Sequence, residues 1–171
     1  MKHKKLLLCL IVVLVLISQC NTPVLAATST TNKSAAIEYT AKDVKLLACL
    51  IYTEAGNQSY KGQVAVGNVI VNRVKSSKFS HVDTIKEVIY DNKWAVQFGV
   101  TVGGYNSPLY KAYKNYATLK TNDQMKSCIK AAKAALNGKD IIGSRLYFTG
   151  YSKSLASKHP NYMKIGSHIF Y

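Results

Sequence analysis

The chain has 171 residues, with 23 Lys and Arg against 8 Asp and Glu, a formal charge of +15 and an apolar share of 48%. That length suits one domain able to bury its own core. Two of the four cysteines fall before residue 27, so a disulfide-dense miniprotein is excluded. A zinc ribbon is excluded too, because Cys49, Cys128, His81, His159 and His168 are the whole pool of ligands beyond that point.

Met1 to Lys5 is basic, and Leu6 to Ile17 is an unbroken apolar run. The run is shorter than the roughly 20 residues a spanning helix needs. Val24-Leu25-Ala26 places small residues where a signal peptidase requires them. Residues 1–26 therefore read as a secretory signal. Cleavage near Ala26 is preferred to lipidation at Cys20, which follows the bulky Gln19. Residues 27–37 are rich in Ser, Thr and Asn and read as a flexible linker, leaving 38–171 as the folded domain. Loss of Lys2, Lys4 and Lys5 leaves 20 basic against 8 acidic residues, a charge of +12. The mature protein is expected to be secreted, in the cell wall or the spore envelope, with no membrane span. In the cytoplasm such a charge would point to nucleic acid. Outside the membrane, scattered lysines point to loose attraction to anionic wall polymers, and no nucleic-acid partner is expected. Twelve tyrosines suit a carbohydrate cleft and an ordinary core rim equally well.

Thr40 and Asp43 form a capping box, and Val44, Leu47, Ala48, Ile51, Tyr52 and Ala55 recur at helical spacing up to Gly56. Gln63 to Val74 is open to two readings. Its β-branched content favours a strand, whereas its length, Ser59 as a cap and the Asn68/Asn72 spacing favour a buried helix. Thr84 and Glu87 cap a short helix through Tyr90, and Asp91 to Asn106 reads as a long loop of the kind that carries function. Ser107-Pro108 opens a helix to about Thr118. Asn122 opens another, with Met125, Ile129, Ala132 and Leu136 on one face and Gly138 at its end. Strand-like pieces follow at Arg145–Thr149 and His168–Tyr171. The pattern predicts an α+β domain, helix-dominated with a small late β-sheet.

Motifs for covalent catalysis are missing. There is no G-x-S-x-G; Ser127-Cys128-Ile129-Lys130 fits S-x-x-K only by chance, on a helix face without its companion motifs. Cys49 and Cys128 read as buried small residues or as one disulfide. No metal-ligand spacing and no phosphate loop is present, so no metal and no cofactor is expected. The carboxylates are few. Glu38, Asp43, Glu87, Asp123 and Asp140 cap, precede or end helices, and Asp83 and Asp91 flank one. Glu54 has no such place. At about 100° per residue from Val44 it falls near 280°, between Leu50 and Leu47, inside the apolar arc. A carboxyl there loses hydration and holds its proton to higher pH, as a general acid must. A glutamate at a helix end turning out to solvent is the competing reading.

Leu46-Leu-Ala-Cys-Leu-Ile-Tyr-Thr-Glu-Ala55 followed by Tyr60-Lys-Gly-Gln-Val-Ala-Val-Gly-Asn-Val-Ile-Val-Asn-Arg-Val74 resembles the opening of the SleB-type cell-wall hydrolases, the spore-cortex-lytic enzyme family. Val88-Ile-Tyr90, Gln97-Phe98, Ala131 to Gly138, Leu146-Tyr-Phe148 and Ile165 to Tyr171 match in the same order. The resemblance implies a lysozyme-like domain that cleaves peptidoglycan, a catalytic role for Glu54, and a helix at Gln63–Val74. It also marks Gln63, Asn68, Gln97, Tyr147 and His168 as substrate-binding candidates in the matching blocks. One departure stands out. Where the family commonly reads E-A-R-G-E, this chain has Glu54-Ala-Gly-Asn-Gln58, an amide in place of the second acid.

Most glycosidases need two carboxylates. A lytic transglycosylase needs one, because the sugar's own C6 hydroxyl replaces water and leaves a 1,6-anhydro end. The expected activity is therefore cleavage of the MurNAc–GlcNAc bond by Glu54. The alternatives are an N-acetylmuramoyl-L-alanine amidase and a basic wall-binding module without activity.

Overall fold

Seven α-helices, three 3-10 turns and three short strands make up residues 36–171, the part of the chain that this computed structural model describes. The expected signal peptide and most of the expected linker lie outside those residues.

Helix α1 (Ala41–Ala55) starts at Thr40, whose side chain accepts from the Asp43 amide while Asp43 accepts from the Thr40 amide. Two orphan donors are satisfied at once, which fixes the first turn. Leu47, Leu50 and Ile51 are wholly buried, and each contributes about 1.5–3 kcal/mol by leaving water. Helix α2 (Tyr60–Lys75) begins at the Ser59 cap and resolves the ambiguous segment as helix. Every residue from Gly62 to Val71 is buried. A helix covered on all sides is apolar all round and shows no stripe. That burial accounts for the β-branched composition without a strand.

Helix α3 (Ile85–Tyr90) carries the expected capping box of Thr84 and Glu87. Helices α4 (Pro108–Lys114) and α5 (Tyr116–Leu119) replace the single helix expected there, broken at Asn115. Helix α6 (Asp123–Leu136) closes the core against α1 and α2. It ends as expected at Gly138, with φ +84°, where the Gly138 amide donates to Ala135 O and the Lys139 amide to Ala134 O. The α2–α6 crossing is close at Gly67, where an added Cβ would stand 2.9 Å from that of Ala135.

The sheet is antiparallel in the order β1 (Phe148–Gly150), β3 (His168–Phe170), β2 (Met163–Ile165). In register, Gly150 and Ile165 stand on either side of His168. Strand β3 falls within its expected piece, and β1 overlaps the end of the other, running one residue past Thr149. Strand β2 and helix α7 (Lys153–Lys158) lie between them, where no element was expected. The observed fold is α+β and helix-rich, with the sheet late in the chain. Among the described residues no helix is long and apolar enough to cross a membrane.

Candidate functional site

Glu54 stands in the last turn of α1, half-buried. The glycine two residues on is not a left-handed stop: Gly56 has φ −58°. Space is what demands glycine there. An added Cβ would collide with the Tyr52 carbonyl oxygen and come within 2.9 Å of the Gln124 side-chain nitrogen. The first turn of α6 thus closes over the end of α1.

The Glu54 side chain lines a cavity of about 200 Å³. Arg73 of α2 lines it as well, with Gln97, Phe98 and Gly99 from the long loop, Phe148 to Gly150 from β1 and His168 from β3. The long loop is therefore part of the site, as its length implied. Gly99 and Gly150 in this lining are exposed, and a Cβ on either would meet nothing within 4 Å. Of the expected binding residues, Gln97 and His168 are brought to Glu54.

Burial raises the Glu54 pKa above its ordinary 4.5. Its carboxyl holds a proton at higher pH than an exposed glutamate would. Burial also lowers the His168 pKa below its ordinary 6.5, so the imidazole is neutral at pH 7. The helix-end alternative for Glu54, a side chain turned to solvent, does not hold.

The other seven acids stand elsewhere. Asp43 and Glu87 are caps, and Asp140 accepts from the Ile142 and Gly143 amides. Asp123 pairs with Lys126 at 2.8 Å. Glu38 and Asp83 line a different hollow, beside Asp43. Asp91 is buried against His81 at 3.0 Å and accepts from the Lys93 amide. Burial opposes the Asp91 charge, but the Lys93 amide, His81 and Arg73 outweigh it and hold its pKa below 3.8. Glu54 is the one acid lining the cavity among the described residues.

Three expected binding residues are not in this cavity. Gln63 is buried, donating to Gly56 O and Gln58 O and accepting from Ser127 Oγ at 2.6 Å. Asn68 is buried as well, donating to Lys139 O at 2.6 Å and accepting from the Ile141 amide. Both amides are spent on structure: Gln63 ties the α1–α2 turn to α6, and Asn68 ties α2 to the segment after α6. Asn72 continues that ladder to Gly143 O and Arg145 O. Tyr147 lines a separate cavity of about 590 Å³ with Arg145, Lys158, His159 and Tyr171. The second hollow is larger but has no acidic side chain in its walls.

Gln58 occupies the place of the second acid, yet it does not line the Glu54 cavity. Its Oε1 accepts from the Ser167 amide at 3.1 Å, docking the β2–β3 turn onto the α1–α2 turn. A carboxylate oxygen would accept the same bond, so the amide keeps that function. Cys49 and Cys128 are free and buried, their thiols pushed up by burial to about 11 and about 12, and they form no disulfide.

Besides Phe98, Gly99 and the β1 residues, the lining holds a cation that the sequence pattern did not single out, Arg73. Its side chain is 3% exposed, its Nε donates to Leu146 O at 2.8 Å, and its guanidinium lies over the rings of Phe79, Phe98 and Tyr147. The available signal was a cation next to an apolar run, in the matched Asn72-Arg73-Val74.

The family model described as cell wall hydrolase matches residues 57–171. The spore cortex-lytic enzyme of Bacillus cereus is 35% identical over 136 residues, covering 77% of this chain and 45% of that protein. The spore cortex-lytic enzyme of Oceanobacillus iheyensis is 31% identical over 135 residues, with 77% and 42% covered. The chain thus spans less than half the length of these curated relatives. Among solved structures, the catalytic domain of the germination-specific lytic transglycosylase SleB from Bacillus anthracis aligns with a TM-score of 0.53. The identity is 30%, over 77% of this chain and 95% of that one. The catalytic domain of the Bacillus cereus SleB protein aligns with a TM-score of 0.50 at 28% identity, over 80% and 94%.

Proposed function

The chain belongs to the cell wall hydrolase family, and on that premise we propose that it cleaves peptidoglycan glycan strands as a lytic transglycosylase, with Glu54 as acid and then base. The observation that carries this reading is the solitary carboxyl in the cavity. A hydrolytic glycosidase places a second carboxylate about 5–9.5 Å from the first, to attack the sugar or to activate water. Here the other seven acids are caps, paired or in other hollows.

The Glu54 proton passes to the glycosidic oxygen as the bond from C1 of MurNAc breaks, freeing the 4-hydroxyl of GlcNAc. The C6 hydroxyl of the same MurNAc then bonds to C1, and its proton passes to the Glu54 carboxylate. The catalyst is restored and no water is consumed. A half-buried carboxyl with a raised pKa suits the first step, and its conjugate base suits the second.

Two further features belong to the same reading. Residues 1–26 leave as a signal peptide, supported by the basic start, the apolar run and Val24-Leu25-Ala26. The basic charge draws the mature protein to anionic polymers of the cell wall or spore cortex.

Mass spectrometry of purified peptidoglycan after digestion tests the activity. The expected products end in 1,6-anhydro-N-acetylmuramic acid, one water lighter than hydrolysed fragments. Borohydride-reducible muramic ends would mean that water attacked, and newly released amino groups would mean an amidase. Either result overturns the reading. Sequencing the secreted protein, expected to start near Ala27, tests the signal peptide.

A further inference from the structure

Another hollow, about 440 Å³ and unused by the chemistry, opens at the far end of α1 from Glu54. Lys42 and Leu46 line it from the start of α1, Lys86 and Tyr90 from α3, and Tyr110 and Tyr113 from α4. Eight residues of helix separate Leu46 from Glu54, about 12 Å along the axis, and the two hollows share no lining residue. Its size falls within the range of small-ligand sites. The rings in its wall are held in place. Lys45 Nζ stands 3.8 Å from the centre of the Tyr113 ring, and Tyr110 meets Tyr105 edge to face at 5.0 Å. Tyr105 is 80% exposed and Tyr90 46%, so aromatic surface continues from the hollow into water. Exposed aromatic surface gathered in one place marks a contact site. The charge around it is basic. Lys42 and Lys86 are exposed, whereas Asp43, the one acid in the lining, accepts from the Thr40 amide and hydroxyl at 2.8 and 2.6 Å.

We propose that this hollow is a second, non-catalytic site that holds a β-linked glycan strand, with flat sugar faces on Tyr90, Tyr110 and Tyr113 and the carboxylates of the strand's peptide side chains near Lys42 and Lys86. The inference rests on the peptidoglycan reading and extends it with a holding site away from the bond that breaks. A pyranose ring with equatorial substituents has an apolar C–H face and a rim of hydroxyls. Tyrosine matches both, offering a ring face and a hydroxyl that exchanges bonds with water or sugar. A protein partner's apolar anchor would need an aliphatic floor, and Leu46, 8% exposed, is the one aliphatic apolar side chain here. The two lysines favour a polymer that carries anions beside its sugars. A polymer engaged at both hollows stays near the enzyme when either contact opens, so binding outlasts each single contact.

The test uses the ¹⁵N-labelled mature Glu54→Gln protein and two disaccharide probes. One is neutral N,N′-diacetylchitobiose, and the other is the disaccharide-tetrapeptide released from purified peptidoglycan. The amide resonances of Tyr90, Tyr110 and Tyr113 should move saturably with both. The peptide-bearing probe should bind about 2- to 10-fold more tightly, the range for two exposed ion pairs. Lys42→Ala with Lys86→Ala should erase that difference. Tyr90→Ala with Tyr110→Ala should weaken both probes at this hollow about 3- to 10-fold. If that pair does not fold, Tyr90→Ala alone, at a ring nearly half exposed, carries the same test. Shifts confined to residues around Glu54, such as Gln97 and Thr149, overturn the proposal. A response to the tetrapeptide probe alone also overturns it, because the rings would then be reading peptide. So do tyrosine shifts that follow protein concentration without sugar, since a second copy would then be the occupant. All of these are read without turnover. A protein that leaves anhydro ends but shows no shift here loses this site and keeps its activity.

Discussion

An acid catalyst near neutral pH needs surroundings that penalise its own charge, and Glu54 and Asp91 show opposite solutions within one chain. Glu54 loses hydration, so its pKa rises. Asp91 is buried too, but an amide, a histidine and the field of Arg73 hold its charge. The two signs predict different behaviour. The folded state binds the Glu54 proton more tightly than the unfolded chain does, so Glu54 favours folding below its unfolded pKa of about 4.3. That contribution is lost as pH rises through the raised folded value, and so is the catalytic proton. Activity should therefore fall along an alkaline limb set by Glu54. Glu54→Gln should cut lysis by about 10²–10⁴-fold and melt no lower than the parent at pH 7, as calorimetry would read. Asp91 runs the other way: its contribution is present above about pH 3.9 and lost as pH falls through its depressed value. Asp91→Ala should cost about 1–3 kcal/mol in urea unfolding at pH 7, because His81 loses the carboxylate 3.0 Å away and the Lys93 amide loses its acceptor. An Asp91 variant with unchanged stability would refute that account.

At the scale of elements, the legible features were those written in short-range chemistry. Thr40 with Asp43, Thr84 with Glu87, Ser107 with Pro108, and Asn122 each cap the helix expected of them. Helix α2 escaped a decision by pattern because burial from Gly62 to Val71 erases the stripe that periodicity measures. Helix α7 escaped for the opposite reason, having no buried residue to mark a face. The site divides along the same line. Glu54 was legible from its angle on α1, whereas its union with Gln97 and His168 depends on how a loop and a sheet return to that helix. Gln63 and Asn68 were read as cleft residues because polar side chains in a matched block look alike until their partners are seen. Their bonds predict structural phenotypes. Asn68→Ala should destabilise the fold by about 1–3 kcal/mol through the unpaired Lys139 carbonyl and Ile141 amide, with kcat/KM intact well below the melting temperature. Gly67→Val should cost at least about 1–3 kcal/mol, since even one Cβ would crowd Ala135 and α2 and α6 cannot part without opening the core. Parent-like urea midpoints would contradict both.

For the whole molecule, charge and cavity do different work and respond differently to salt. In the proposed mature form, without residues 1–26, twenty cations against eight acids leave a net charge of +12 and a positive field around the molecule. Such a field gathers a polyanion without selecting a bond in it. Selection falls to the cavity, where Arg73 is buried and Glu54 and His168 are half-buried. Raising salt from about 0.01 M to 1 M shortens the screening length from about 30 Å to about 3 Å. Co-sedimentation of the Glu54→Gln protein with purified walls should therefore weaken steeply over that range. Its affinity for a neutral oligosaccharide, the N-acetylglucosamine tetramer, should change little, because an uncharged ligand offers no net charge for salt to screen. Wall binding that ignores salt would remove the polyanion from the reading and leave the glycan itself as the whole attachment.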